Sequence, residues 1–357
     1  MKNNTLQKIR EKMGESGLDS LIIAGTSNIR YLTGFHGDYG YVVLSPSRAL
    51  FFTNSLYIED ARASVSDGYE LVEVKEEIFD SFSSFDSTVW GKSTGYESEK
   101  TTCATFAKLE KKLPGTRLVS TINIVEELRE SKHEHEIEAI EKAQRISEQV
   151  LEYVLGLVRE GVEECELAME IDYQFRKHGG ERSAFETIVA SGPHTSRPHA
   201  VPTRRKIAHG DLVLFDMGTV CMGYASDMTR TVVFGRSSAE QKKVYGVVLD
   251  AQNAALEGVQ SGMKCSDLDT IARTVIENTG YREHFVHSLG HGVGLEVHEN
   301  PFISKRSKSF LHRNAVVTIE PGIYMHGWGG IRIEDMVVVL DGGCKNLTGA
   351  SKNLLEL

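Results

Sequence analysis

Residues 211–235 read DLVLFDMGTVCMGYASDMTRTVVFG. Period-two alternation makes 211–218 one strand and 224–234 the next, with Gly218, Thr219 and Gly223 near the turn. Leu212, Leu214 and Asp216 then share a face of the first strand, and Asp227, Thr229, Thr231 and Val233 share a face of the second. A buried carboxylate beside another is costly unless something positive lies between them. Taken alone, the stretch leaves two readings open: a cation-binding pair, or two solvent-facing aspartates on an edge hairpin.

A second hairpin repeats the pattern. Residues 316–320 (VVTIE) form a strand ending in a carboxylate, followed by Pro321-Gly322 and a turn with Gly327, Gly329 and Gly330. The chain returns as IRIEDMVVVL, with Arg332, Glu334 and Met336 on one face. Two strand pairs, each carrying two carboxylates beside β-branched residues, make a box of four oxygen ligands. Between them lies HSLGHGVGLEVHENP, with His287, His291 and His298. His287 and His291 have the spacing of an HExxH helix, but no Glu follows His287. Gly290, Gly292 and Gly294 each disfavour helix by about 1 kcal/mol, so a loop or strand is expected and a zincin is not.

Asp216, Asp227, His291, Glu320 and Glu334, in that order and with the flanks GHGVGLEVH and IEPGIY, resemble the five-ligand dinuclear site of the pita-bread metallopeptidases (family M24). That group includes methionine aminopeptidase, aminopeptidase P and prolidase. The resemblance implies that Asp227 and Glu334 bridge two metals, Asp216 completes one site, and His291 with Glu320 completes the other. Four carboxylates and one neutral imidazole carry a formal charge of −4, which two divalent cations balance. Oxygen-rich ligation with one histidine suits Mn²⁺ and tolerates Co²⁺, Fe²⁺ or Zn²⁺. Two such metals hold a bridging hydroxide and polarise a carbonyl. The expected reaction is peptide hydrolysis without a covalent intermediate, and no GxSxG motif is present.

By the same resemblance, His199 in SRPHAVP and His298 contact the scissile carbonyl and the tetrahedral oxyanion. Glu320 relays a proton to the leaving nitrogen as well, and Arg332 orients the carboxylates or Tyr324. His287 matches a position that either walls the substrate pocket or supports His291. Phe185 and Ile188, in AFETIVASG, resemble the apolar wall of a proline pocket, with plain core as the alternative. His133 and His135 read as solvated. His36, His178, His194, His209, His284, His312 and His326 read as ordinary surface or core residues.

The 357 residues favour two domains. A net charge of −10 argues against nucleic-acid or anionic-membrane partners. Five cysteines without a CxxC pair read as reduced thiols of a cytoplasmic protein. The N-terminal stretch has no apolar core, and no apolar run approaches the roughly 18 residues of a membrane span. Strands at 20–24 and a hairpin about Pro46-Ser47, alternating with helices, predict an α/β domain over 1–128. There RYLTGF (30–35) resembles a piece of the creatinase-type N-terminal domain; as plain structure it reads as a strand end and turn.

The charge-rich stretch 126–143 opens a helix expected to run to Gly161, and further helices are expected at 166–177, 240–257 and 266–278, the last with Ser266 as N-cap. Residues 129–357 thus alternate helices and carboxylate hairpins twice, which fits a pita-bread domain with a pseudo-twofold antiparallel sheet. A creatinase-type domain ahead of all five ligands resembles an Xaa-Pro peptidase acting on Xaa-Pro peptides, and the family implies a homodimer. Compact length resembles the dipeptidases (prolidases). Against this, Phe302 in HENPFIS stands where several dipeptidases carry a carboxylate-gripping arginine, with Lys305 and Arg306 close behind. Aminopeptidase P is therefore the alternative. A non-catalytic scaffold of this family is expected to have lost ligands, and none of the five is missing.

Overall fold

A computed structural model describes residues 2–357. The chain divides into two compact units, Met1–Arg129 and Glu130–Leu357.

The first unit is built on a six-stranded mixed sheet: β1 (Ser20–Ile23), β2 (Tyr41–Leu44), β3 (Ala49–Asn54), β4 (Glu70–Val74), β5 (Ser93–Glu97) and β6 (Arg117–Thr121), in the order β4-β3-β2-β1-β5-β6. Strands β1, β2 and β3 pair antiparallel, and the outer strands join in parallel. Alternation along the inner strands feeds two cores. Leu21, Ile23, Val42 and Phe51 pack on one side with Ile9 and Met13 of α1 (Lys2–Glu15). Ile22, Val43, Leu50 and Phe52 pack on the other side with Leu109. Further helices are α2 (Thr26–Thr33), α3 (Ile58–Ser64), α4 (Ile78–Phe82), α5 (Ser87–Trp90) and α6 (Cys103–Lys112). The stretch RYLTGF is the end of helix α2 rather than a strand end: Gly34 closes it in the left-handed region at φ 85°, its N–H bonded to the Arg30 carbonyl.

The charged stretch that follows is two helices, α7 (Glu126–Glu130) and α8 (Glu134–Leu155), broken at residues 131–133. The Glu136 carboxylate accepts from the His133 N–H and starts the second helix afresh. Helix α8 ends at Gly156, short of Gly161. Helix α9 (Glu164–Lys177) packs beside it. The later pair is α10 (Ala239–Gly258) and α11 (Cys265–Asn278). Lys264, not Ser266, occupies the N-cap of α11, and no side chain caps it.

The first carboxylate hairpin is more broken than alternation predicts. Between β7 (Arg182–Ser183) and β8 (Ile188–Ser191) on one side and β9 (Leu212–Met217), β10 (Thr219–Cys221), β11 (Tyr224–Ala225) and β12 (Met228–Val233) on the other, two small antiparallel sheets form, β11-β10-β7 and β12-β9-β8. The expected strand 224–234 changes sheet at Ser226 and Asp227. A Cβ on Gly218 would lie 2.0 Å from the Ser226 carbonyl, so the two segments cross where only glycine fits. In β9, Val213, Phe215 and Met217 pack toward α8 and α9, while Leu214 meets Ile188, Ala190 and Ala200 on the face that Asp216 shares.

The second half repeats this layering in a five-stranded sheet and a separate ribbon. The sheet is β13 (Gly290–Gly292), β14 (Glu299–Ile303), β15 (Val316–Ile319), β18 (Asp335–Leu340) and β19 (Gly343–Asn346), and the ribbon is β16 (Gly322–Met325) with β17 (Gly329–Arg332). Val317, Ile319, Val337 and Val339 join the core formed with α10 and α11. The return expected as one strand over 331–340 breaks at Ile333 and Glu334, between β17 in the ribbon and β18 in the sheet, so the antiparallel strands of this unit fall into several short sheets.

Candidate metal centre and active site

The two hairpins are tied to each other by side chains and single backbone bonds. Thr229 Oγ1 donates to Glu334 Oε2 at 2.7 Å, and the Glu334 N–H donates to the Thr229 carbonyl at 3.2 Å. Thr231 Oγ1 donates to the Arg332 carbonyl at 3.0 Å, and Arg230 donates to the Glu334 carbonyl at 2.5 Å. Asp216 lies opposite Thr229 in the β9–β12 register, and Asp227 occupies the break just before β12. Ile319 lies opposite Asp335, so Glu320 and Glu334 face one another one step beyond the paired stretch.

Ligand atoms of Asp216, Asp227 and Glu334 lie within 4.8 Å of one another; so do those of His291, Glu320 and Glu334, and those of Asp227, His291 and His298. Glu334, Asp227 and His291 thereby each belong to two sets. All three are buried, at 2%, 4% and 8% exposure respectively. Burial pushes the Asp216, Asp227 and Glu334 carboxyls above the ordinary range, and the neighbouring carboxylates push further. Burial works against the Glu320 carboxylate too, but the His291 hydrogen bond and charge, with His287 and Arg332, draw it down to about 2.

Three features test whether these residues suit a divalent cation. Asp216 Oδ1 is buried without a hydrogen-bond partner among the described residues, while Oδ2 is held by Arg332 at 2.5 Å. The His291 Nδ1 faces the Gly292 carbonyl at 3.1 Å, so it carries the proton. Nε2 then turns a lone pair toward Glu320 Oε1 at 3.3 Å and Asp227 Oδ2 at 3.5 Å. An acceptor facing acceptors calls for a cation between them, a proton or a metal. Burial lowers the basicity of His291, yet the Glu320 hydrogen bond and charge leave it raised overall. The donor set therefore fits a hard divalent metal.

Arg332 is committed to support. It donates to Asp216, to Thr229 Oγ1 at 2.9 Å, to the Tyr324 hydroxyl at 2.7 Å and to the Pro198 carbonyl at 3.3 Å. The chain continues through Tyr324, whose hydroxyl lies 3.0 Å from His287 Nε2, while His287 Nδ1 lies 2.8 Å from the Ser288 carbonyl. A carbonyl only accepts, so Nδ1 holds the hydrogen and the Tyr324 hydroxyl donates to Nε2. Burial lowers the His287 pKa to about 4 and raises that of Tyr324 to about 12, so this relay is uncharged at neutral pH beyond Arg332.

Around the carboxylates opens a cavity of about 400 Å³, lined by the polar His199 and His298 and by the apolar Phe185, Ile188, Val201 and Phe302. His287 also reaches its wall. The His298 ring stands 4.4 Å from that of His291. His298 thus lies within ligand reach of Asp227, a placement its neighbours in sequence did not announce. Lys305 and Arg306 do not line this cavity but an adjoining one of about 390 Å³, which shares His287 and Ser288 with it.

Sequence reasoning missed the supports. Thr229 and Thr318 orient Glu334 and Glu320, the latter by a 3.0 Å hydrogen bond; alternation alone placed Thr229 beside Asp227 but gave no role. Buried Lys132 pairs with Glu299, next to His298, at 2.8 Å. His194, read as ordinary, donates to buried Glu164.

The sequence model of metallopeptidase family M24 matches residues 138–341, and that of the creatinase/prolidase N-terminal domain matches residues 5–131. The Xaa-Pro dipeptidase of Pyrococcus horikoshii is 35% identical over 354 residues, covering 99% of each chain. Among solved structures, an Xaa-Pro dipeptidase from Bacillus anthracis superposes with a TM-score of 0.97 at 34% identity over 100% of both chains. An X-Pro aminopeptidase from Thermotoga maritima superposes with a TM-score of 0.89 at 35% identity, covering 96% of this chain and 98% of that one.

Proposed function

The chain belongs to metallopeptidase family M24, and from that premise we propose that it hydrolyses the Xaa-Pro bond of dipeptides with two divalent metal ions, Mn²⁺ by preference. The observation that carries the reading is the pair of overlapping donor sets sharing Glu334, in a cavity also lined by Phe185, Ile188, Val201 and Phe302. In this reading Asp216, Asp227, His291, Glu320 and Glu334 would hold the metals, with Asp227 and Glu334 central to the donor set. Bound divalent metal supplies Lewis acidity at the carbonyl and a nucleophile from water at neutral pH.

The chain's own residues do the rest. Thr318 occupies one oxygen of Glu320, which takes a proton from the attacking water and returns it to the prolyl nitrogen. His199 and His298 line the same cavity and donate to the oxygen that gains charge. Burial lowers the His298 pKa, so it acts as a neutral donor. Arg332 fixes Asp216 and Tyr324 and leaves substrate contact to others. Phe185 and Ile188, which line the cavity, receive the proline ring, a rigid apolar group suited to them.

Two observations favour a second reading, Xaa-Pro aminopeptidase. Phe302 lines the cavity where a carboxylate-gripping cation would serve a dipeptide, and the Thermotoga aminopeptidase, at 35% identity, is as similar in sequence as the dipeptidases, although its TM-score of 0.89 is below the 0.97 of the Bacillus dipeptidase. Comparing kcat/KM for Xaa-Pro and Xaa-Pro-Yaa peptides decides: equal or better hydrolysis of the dipeptide is expected, and about a tenfold tripeptide preference, near 1.4 kcal/mol, would overturn it. The proposal includes a homodimer and a cytoplasmic setting, the latter supported by five free cysteines.

A further inference from the structure

The segment that carries His199 is closed at its base by one carboxylate. Glu164 is the first residue of α9, and its side chain is fully buried. Its Oε1 accepts from the Ser191 N–H and hydroxyl, both at 2.7 Å. Its Oε2 accepts from the Thr203 N–H at 3.1 Å and hydroxyl at 2.7 Å. His194 Nδ1, 2.9 Å from Oε2 and 3.1 Å from Oε1, is the fifth donor. Two backbone bonds reinforce the closure: the Glu164 N–H to the Arg205 carbonyl at 3.1 Å, and the Cys165 N–H to the Thr203 carbonyl at 3.0 Å.

Ser191 and Thr203 are the two ends of a loop. Between them Pro198, His199, Ala200 and Val201 reach the cavity wall, and His199 is exposed, so its place is set by the loop backbone. Two more bonds pin the loop farther out, from the Gly330 N–H to Thr195 Oγ1 at 2.7 Å and from Arg332 to the Pro198 carbonyl. Neither replaces the grip at the ends. Glu164 itself is absent from the cavity lining.

We propose that Glu164, with His194, is a positioning residue for His199: it binds both ends of residues 191–203 and holds the imidazole at the reacting carbonyl. This rests on the reading of His199 as a substrate contact. Glu164→Gln keeps the shape but turns an amide NH₂ toward the Ser191 or Thr203 donors. The expected result is a fall in kcat of about tenfold or more, the scale for a slightly misplaced group, with metal content retained. Amide hydrogen exchange across residues 192–203 should rise. In a His199→Ala background the same substitution should add no further loss, because the group it positions is gone. His194→Ala removes one donor only and should show the same signs at smaller size, which covers the case of an unfolded Glu164→Gln. Losses that multiply in the double variant, or unchanged exchange across 192–203, would overturn the proposal. Should the wild type cleave no Xaa-Pro peptide, the functional reading fails, while the exchange experiment still decides whether Glu164 holds the loop.

Discussion

His291 presents Nε2 to two carboxylate oxygens, and Asp216, Asp227 and Glu334 are held near each other with carboxyls raised by burial and mutual repulsion. Without metal the folded state therefore keeps protons that the unfolded chain releases from about pH 4 upward. The raised His291 acts in the same sense: its contribution is full below about 6.5, the unfolded value, and is lost as pH rises through its folded value. Glu320, lowered to about 2, acts in the opposite sense, but only below its ordinary range. His287, lowered to about 4, and His298, also lowered, oppose this below about 6.5, where the unfolded chain binds their protons and the fold does not. The stability of chelated protein should thus fall as pH rises from about 6.5 to 8, and added Mn²⁺ should raise Tm most at the upper end. Thermal unfolding with and without chelator checks this; a metal effect on Tm that shrinks toward pH 8 would contradict it. Asp227→Asn should remove most activity while the fold survives, as circular dichroism and turnover would show. His199→Ala and His298→Ala should each lower kcat by roughly 10²–10³, the scale of a lost oxyanion donor. Because His298 also lies within ligand reach of Asp227, metal content of His298→Ala separates the two roles: retention supports the donor, loss makes it a ligand or its support. Four of the five proposed ligands stood out because carboxylates break the apolar alternation of strands, and His291 joined them only through the family resemblance of its flanks. Glu164 and Lys132 were not, since nothing local marks a charged residue that is buried by partners far along the chain.

The strand β13 shows why the elements have the composition they do. A Cβ on Gly290 would lie 2.0 Å from the Thr318 carbonyl, and one on Gly292 would lie 2.2 Å from the Asn300 carbonyl. His291 is thus delivered by a strand squeezed between β14 and β15 at a distance only glycine permits. Gly292→Ala should push β13 outward, destabilise by about 1–3 kcal/mol as overpacking does, and weaken metal binding; calorimetric metal titration checks the second effect. The three glycines read in sequence as arguments against a helix, and the structure supplies the positive reason. Alternation also located β9, β12 and β15 well, but it ran β17 and β18 together as one return strand, which changes sheet at Ile333 and Glu334. It missed the sheet change at Ser226 and Asp227, because a strand crossing another at Gly218 leaves no mark on the polarity pattern. The two breaks in the helical segment 126–161 were hidden for a different reason: its apolar spacing continues while the caps at His133 and Gly156 interrupt the backbone.

At the scale of the whole chain, a unit built on a mixed sheet precedes one that repeats a helix pair and a carboxylate hairpin twice. Family membership explains both parts. The order of elements was readable because each half carries its own hydrophobic periodicity. The division of the catalytic sheet into short pieces was not, since that depends on how the halves close over the buried charge. All of this converges on one claim, that buried carboxylates and His291 hold divalent metal for Xaa-Pro hydrolysis. Titrating chelated protein with Mn²⁺ while following hydrolysis of an Xaa-Pro dipeptide tests it most directly. No turnover without metal, and a rise to a plateau near about two equivalents per chain, is the predicted result; full activity in metal-free protein would contradict it.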